Sequence, residues 1–329
     1  MPERISGAIY QTNSYKASWC SLDSIDELAF HNTSSFLDPA VFSSLNSSRQ
    51  VLAVHKSNEL RAVIPFSNSD IGIKAAMSSP ISYAQGVQYL PKHMEIQENK
   101  KLVENTRVWE AVVSLLTSQG VKKIDLDLGY KDLDVRPIIW SLESAGFDAL
   151  ATPRYSAILS DLTQRSSVEI LQDFRSVRRQ EFNRANHERS RIQVTDINDP
   201  GLTINRFEQV LSKYEPIGQN IRLELEAIDR AISDSVMKVR RFETWTGGVH
   251  FTGQIIGPND ANLVLNFTST RCSEINLSTY ATVVEILSAK AKGINTFDFN
   301  GANSPHRGDD KHSYGAKPAL FLNVKATRK

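Results

Sequence analysis

The sequence predicts an α/β protein built from two similar units in tandem, each a mixed β-sheet covered by helices. Three observations carry this. Short apolar runs of period two alternate with longer runs of helical period along the chain. The stretch Gly120-Val-Lys-Lys-Ile-Asp-Leu-Asp-Leu128 has a second copy in Gly293-Ile-Asn-Thr-Phe-Asp-Phe-Asn300. In each, a glycine closes a helical run and a strand follows, with Asp125 or Asp298 at the matching place. A length of 329 residues is long for one hydrophobic core and comfortable for two.

Taken in order, Asp38-Pro39 supplies a cap and a first-turn proline for a helix through Phe42. Residues 51–54 and 60–64 read as a hairpin about Ser57-Asn58. Residues 79–89 read as a loop, and Tyr83 and Gln85 are its candidates for lining a cleft and touching an acceptor. Helical spacing through Trp109, Val112, Val113 and Leu116 ends at Gly120. The strand 124–128, a helix over 137–142 closed by Gly146, and the strand 154–159 complete the first half. The polar stretch 161–167 marks a boundary, which gives domains 1–161 and 162–329.

Beyond it, residues 168–190 read as one amphipathic helix with Leu171, Phe174, Val177 and Phe182 toward a core. Helical stretches 207–214 and 223–237 are split by Pro216 and Gly218. A hairpin of 249–256 and 262–267 turns at Gly257-Pro-Asn-Asp260, and a helix over 280–290 leads to the strand 297–300. A polar loop and an apolar strand, 320–324, close the chain. A helix that lies on a strand pair and then feeds a parallel neighbour implies an open mixed sheet.

Composition narrows the function. A formal net charge of +1 creates no global field toward nucleic acid or anionic membrane, so DNA is not an expected partner. Cys20 and Cys272 lie in opposite halves without metal-type spacing and read as free thiols of a reducing compartment; no metal site is expected. The N-terminus lacks the basic start and apolar stretch of a signal peptide, and no apolar run approaches the ~20 residues that span a bilayer. A cytoplasmic protein without a transmembrane segment is expected.

The closing polar loop gathers Asn300, Asn303, His306, Lys311 and His312 between two strands, the kind of place where sites are built. Its run Phe297-Asp-Phe-Asn-Gly-Ala-Asn-Ser-Pro305, followed by Lys311-His-Ser-Tyr-Gly-Ala316, resembles the closing signature of the Fem-type peptidyltransferases and the FemAB-like acetyltransferases. That signature is a D-F-x-G strand end, a loop and F-K-x-x-F-G-A. Arg175-Ser-Val-Arg178-Arg-Gln-Glu-Phe-Asn-Arg184 is similar to the arginine-rich helix that opens the family's second domain. Asp310 stands where the family usually has an aromatic, and Tyr314 replaces the common phenylalanine. The resemblance implies two tandem GNAT-like domains with an acyltransferase site between them. The phosphate loop of ordinary acetyl-CoA enzymes, [QR]-x-x-G-x-[GA], is missing; Gln254-Ile-Ile-Gly257-Pro-Asn is its nearest match.

The same resemblance implies transfer of an acyl group from acyl-CoA or an acyl-carrier protein, used as co-substrate with no resident cofactor. The acceptor would be an amine or hydroxyl of an amino sugar, a nucleotide-sugar or a peptide. Two alternatives stay open: an aminoacyl-tRNA-dependent peptidyltransferase, which the modest charge disfavours, and a non-catalytic protein that binds a carbohydrate or a carrier protein. Acyl transfer passes through an oxyanion that needs a fixed positive group, and Lys311 matches the family lysine. His306, His312 and Asp298 are the candidates for the general base, the alternatives being that the histidines are polar loop residues and that Asp298 braces the sheet. Arg178, Arg179, Asn300, Asn303 and Tyr314 are the remaining candidates for substrate contact; a solvated, self-paired helix face is the plainer reading of the arginines. Cys272 has no base beside it in sequence, so direct transfer is expected without a covalent enzyme intermediate.

Overall fold

A computed structural model describes residues 10–12, 14–21, 24–25, 38–46, 50–64, 66–69, 75–77, 81, 86–130, 132–213 and 216–328. In chain order the first elements are β1 (Tyr10–Thr12), β2 (Tyr15–Ser21), α1 (Pro39–Asn46), β3 (Gln50–Lys56), β4 (Glu59–Ile64), β5 (Ser67–Ser69) and β6 (Ala75–Met77). Next come β7 (Gln88–Tyr89), α2 (Pro91–Met94), α3 (Glu98–Ser118), β8 (Lys123–Asp127), α4 (Arg136–Ser144) and β9 (Phe147–Leu159). Then follow α5 (Ser167–Gln172), α6 (Ser176–His187), β10 (Ile192–Ile197), α7 (Pro200–Leu211), α8 (Gln219–Ser233), β11 (Met237–Thr244) and β12 (Val249–Ile256). The last are β13 (Asp260–Thr270), α9 (Leu277–Ala291), β14 (Thr296–Asp298), α10 (Pro305–His312) and β15 (Lys317–Arg328).

These residues fall in two compact units, one within 1–33, 48–154 and 320–329, the other within 34–47 and 155–319. The changeover thus lies at 154/155 inside β9 where the sequence suggests 161, and the chain end returns to the first unit.

In the first unit β1-β2-β3-β4-β7 form an antiparallel sheet. The β3–β4 hairpin turns on Ser57 and Asn58 with φ of 49° and 70°, the primed turn whose twist matches its strands. β8 pairs parallel with β6 and antiparallel with β15, where Leu126 faces Val324. Helix α3 covers β2 and packs on α4, burying Trp109, Val112, Val113 and Leu116 against Leu52, Val54 and Leu126.

In the second unit β10, β11, β12 and β13 form an antiparallel meander, β14 adds parallel to β13, and β9 pairs antiparallel with β14. Helix α9 lies on β11, β12 and β13, and α6 packs on α9. The core joins Phe174, Ala185, Phe242, Val283, Ile286 and Phe297. Helix α1 belongs to this unit: the Arg230 guanidinium of α8 donates to the Ser44 and Leu45 carbonyl oxygens at 2.9 and 3.2 Å.

The repeated stretch folds twice in the same way. Gly120 (φ 75°) and Gly293 (φ 79°) end α3 and α9 in the left-handed region, and Val121 N–H bonds Leu116 O as Ile294 N–H bonds Ala289 O. Each helix then feeds a strand, β8 or β14, with one parallel and one antiparallel partner. The antiparallel partner comes from the other half of the chain: residues 158–159, which follow α4, pair with β14, while 323–327, which follow α10, pair with β8. That exchange is why the units interleave in sequence.

Three readings are corrected. Residues 168–190 are two helices, because a capping box between Ser166 and Glu169 starts α5 and the chain turns at Asp173–Arg175 to bury Phe174. That turn sits against Gly315 (φ 75°), where a Cβ would meet the Asp173 Cβ at 2.8 Å, and it leaves Val177 50% exposed instead of in the core. The closing polar loop contains α10, so Lys311 rides on a helix. The sequence predicts neither β10 nor β11. In β10 only Ile192 is buried and Gln193, Val194, Thr195 and Asp196 face solvent, so it lacks the alternation that marks a strand.

Candidate functional site

At the end of β14 the buried Asp298 carboxylate accepts from the Ser156 hydroxyl at 2.5 Å and from the Asn300 N–H at 2.7 Å. Asn300 occupies the left-handed region (φ 56°), which asparagine tolerates. Its Nδ2 donates to Leu263 O at 3.1 Å, while its Oδ1 is buried without a partner. The Lys311 ammonium donates to the carbonyl oxygens of Asn300 and, at 2.6 Å, Gly301. Asn303 Oδ1 accepts from Tyr155 N–H, and Ala302 N–H donates to Tyr155 O, both at 2.7 Å. Four predicted residues, Asp298, Asn300, Asn303 and Lys311, thus meet around one loop and hold it.

The arginine helix braces the same region. Arg178 donates to Ser313 Oγ (2.8 Å), Glu181 Oε2 and Thr279 Oγ1 (3.0 Å each) and the Asp310 carboxylate, and its guanidinium lies 5.2 Å from the Tyr314 ring centre. Arg179 donates to Gln172 O and Phe174 O at 2.6 and 2.9 Å and so closes the α5–α6 turn. Both spend their donors inside the protein. Tyr314 is buried, its hydroxyl 3.4 Å from Thr279 Oγ1, and burial pushes its phenol up to about 12. Tyr83, Gln85 and the His306 side chain lie outside the described residues. His312 Nδ1 bonds Ala316 O at 2.7 Å.

A cavity of about 410 Å³ in the second unit went unseen in the sequence. It opens at the N-terminus of α9 and is lined by Glu181, Arg184, Arg271, Cys272, Asn276 and Ser278 among others. The Asn276 side chain caps α9 by accepting from Thr279 N–H at 3.1 Å. The remaining first-turn amides and the helix dipole make this end attractive to anions, with Arg184 and Arg271 beside it. Burial alone would raise the Cys272 thiol, but hydrogen bonds from Thr246, the Ile275 and Glu274 N–H groups and Thr244 outweigh it and hold the thiol below its ordinary range. Gly248 permits this approach, since a Cβ there would meet the Cys272 Cβ at 2.5 Å. The signal lies in Arg271-Cys-Ser-Glu-Ile-Asn276, a polar turn between strand and helix, hidden because helical spacing is clear only from residue 280.

Among the described residues no helix is long and apolar enough to cross a membrane, and no cluster of three His, Cys, Asp or Glu could hold a metal.

No family model matches the chain, and no curated protein does. Solved structures do match. FemX aligns at TM-score 0.57 and 9% identity over 83% of this chain and 87% of its own. A conserved protein of unknown function from Bacteroides thetaiotaomicron aligns at TM-score 0.51 and 12% identity over 94% and 98%. The C-terminal domain of a candidate lysylphosphatidylglycerol synthetase from Agrobacterium fabrum aligns at TM-score 0.50 and 11% identity over 92% and 90%. The chain therefore has the α/β fold of FemX, in two units, each a mixed sheet covered by helices.

Proposed function

We propose that the protein is an acyltransferase whose donor is an acyl group on a phosphate-bearing carrier, acyl-CoA or an acyl-carrier protein. The carrying observation is the cavity at the N-terminus of α9, lined by the start of that helix and by Arg184 and Arg271, with Glu181 and Glu274 also on its wall. The fold shared with FemX supports group transfer in general and does not choose the carrier. The acceptor is an amine or hydroxyl of an amino sugar, a nucleotide-sugar or a peptide. Its nucleophile attacks the acyl carbonyl, the bond to the carrier breaks, and the proton passes to the departing carrier or to solvent.

In this reading Lys311 is the fixed positive charge of the β14 end, aligned by the Asn300 and Gly301 carbonyl oxygens. Asp298 is a positioning residue, since Ser156 and the Asn300 N–H occupy its carboxylate. The rate enhancement then comes mainly from holding donor and acceptor together. Native mass spectrometry and thermal shift with acyl-CoAs, a charged acyl-carrier protein and charged tRNA test it, with Arg271→Ala and Arg184→Ala in parallel. Stabilisation by acyl-CoA or carrier protein that weakens in both variants supports the proposal. Stabilisation by charged tRNA alone moves the donor to aminoacyl-tRNA, and no binding of any donor supports a non-catalytic binding protein.

A further inference from the structure

Behind the α9 cavity lies a buried imidazole that acyl transfer leaves without a role. His250 of β12 is 1% exposed and sits directly across from Thr268 of β13, a residue of the cavity wall. The ladder bulges there: His250 pairs with Thr268 and Val249 with Thr270, so Ser269 is the extra residue. A bulge of this kind re-aims side chains at the end of a strand. His250 Nδ1 lies 2.9 Å from Thr268 Oγ1, and Nε2 lies 2.7 Å from Asn266 Oδ1. Burial pulls the imidazole down to about 4, so at neutral pH it has one N–H to give and one lone pair to accept with.

Which nitrogen carries the proton is decided at the far end of a series of hydroxyls. Glu181 is a carboxylate and only accepts. It accepts from Thr279 Oγ1 at 2.7 Å, Thr279 Oγ1 accepts from the Tyr314 hydroxyl at 3.4 Å, and the Tyr314 oxygen accepts from Thr282. With its own proton turned to Tyr314, Thr282 Oγ1 accepts from Asn266 Nδ2 at 3.3 Å. The amide therefore turns Oδ1 to the ring, so His250 Nε2 carries the proton and Nδ1 is bare. Thr268 then donates to Nδ1. Every donor in the series points the same way, from Thr268 toward Glu181, and each bond polarises the next.

This polarity reaches the cavity. The Thr268 proton is spent on His250, so the hydroxyl oxygen offers a ligand only lone pairs. Arg184 and Arg271 on the same wall are donors only. A bare anion suits the guanidinium groups and leaves Thr268 unmatched. An anion with a hydroxyl or N–H a few bonds away matches both. We infer that Thr268, oriented by His250, is a fixed hydrogen-bond acceptor of the α9 cavity, and that the cavity takes a phosphate ester bearing a hydroxyl or N–H close to its phosphate. Thr268 is the contact and His250 a positioning residue. The inference rests on the reading of this cavity as an anion site, whichever carrier brings the acyl group.

The test uses the ¹⁵N-labelled full chain. Two-bond ¹H–¹⁵N correlation of the His250 ring, assigned by its loss in His250→Gln, reads the tautomer: Nε2–H is expected, and Nδ1–H overturns the inference. Titration with glycerol 3-phosphate and with n-propyl phosphate, which lacks the hydroxyls, follows the Ser278 amide. Saturable movement by both is expected, with glycerol 3-phosphate binding about three- to tenfold tighter. Thr268→Val is expected to abolish that preference and keep the propyl phosphate affinity, while Thr268→Ser keeps the preference. Equal affinities in the wild type, or a preference that survives Thr268→Val, overturn the role of Thr268 alone. Failure of both esters to bind overturns it together with the anion-site reading. If Thr268→Val does not fold, the tautomer and the wild-type preference still decide the outcome.

Discussion

The Lys311 ammonium donates to the Gly301 carbonyl oxygen at 2.6 Å, tying helix α10 to the turn that ends β14. The pair joins the two halves of the closing sequence signature. Replacing Lys311 by Met removes the donor and leaves the Asn300 and Gly301 carbonyl oxygens without it. The expected cost is about 1–3 kcal/mol of unfolding free energy, read by urea titration, with loss of acyl transfer. Lys311→Arg keeps the charge and is expected to recover stability more fully than turnover.

Asp298→Asn tests the brace reading of the carboxylate. The Ser156 hydroxyl and the Asn300 N–H both point at Oδ1, and an amide oxygen accepts them more weakly than a carboxylate does. A loss of about 1–2 kcal/mol is expected. If turnover falls through positioning, it falls equally across the pH range. A variant that loses only the alkaline or acidic limb of the rate profile would instead make Asp298 the proton carrier.

Arg178→Lys removes the planar fork that reaches Ser313, Glu181, Thr279 and Asp310 together. Lysine supplies a point charge and cannot span those partners. A destabilisation of about 2 kcal/mol is expected, with little change in donor affinity. A large fall in affinity at unchanged stability would return Arg178 to the role of an anion ligand.

Much of the architecture was legible in the residues. Gly120 and Gly293 announced the repeat because only a left-handed residue closes both helices, and Ser57-Asn58 announced its hairpin for the same steric reason. The site was legible as a place more than as a mechanism. Asp298, Asn300, Asn303 and Lys311 do converge, but mostly through backbone atoms, and backbone partners leave no trace in side-chain identity. The α5–α6 break was illegible because Phe174 and Val177 look alike in sequence, and only the close approach of Gly315 decides which is buried. The α9 cavity depends on where a helix starts, the least certain boundary to read from sequence.

One half-buried group and one buried group give opposite pH dependences. Burial pushes the Asp127 carboxyl up to about 6 from 3.8, the Asn323 amide opposing and the Asp125 charge adding. The folded first unit then binds the extra proton between about pH 4 and 6, so its stability falls as pH rises through that window, by about 3 kcal/mol in all. Burial pulls His250 down to about 4, its ring bonded to Thr268 and Asn266. There the unfolded chain holds the extra proton, so the second unit gains stability as pH rises from about 4 to 6.5, again by about 3 kcal/mol. Asp127→Asn should raise stability at pH 7 and change nothing at pH 4. Hydrogen exchange resolved by unit at both pH values reads the two slopes separately.

The two cysteines should separate by reactivity. Burial raises the Cys20 thiol, the Ser24 bond opposing it only in part, while the hydrogen bonds around Cys272 lower its thiol. Both are free, so iodoacetamide at neutral pH is expected to label Cys272 ahead of Cys20, as intact and peptide mass spectrometry will show.

That labelling reaction tests the central claim most directly, because Cys272 lines the α9 cavity. Alkylation of Cys272 is timed with and without saturating acyl-CoA or charged acyl-carrier protein, with Cys20 as the internal reference. The proposal predicts that a bound donor slows Cys272 at least about tenfold, leaves Cys20 unchanged, and loses this protection in Arg271→Ala. A donor that binds by native mass spectrometry yet leaves the Cys272 rate unaltered would contradict it, and would place the acyl carrier elsewhere on the protein.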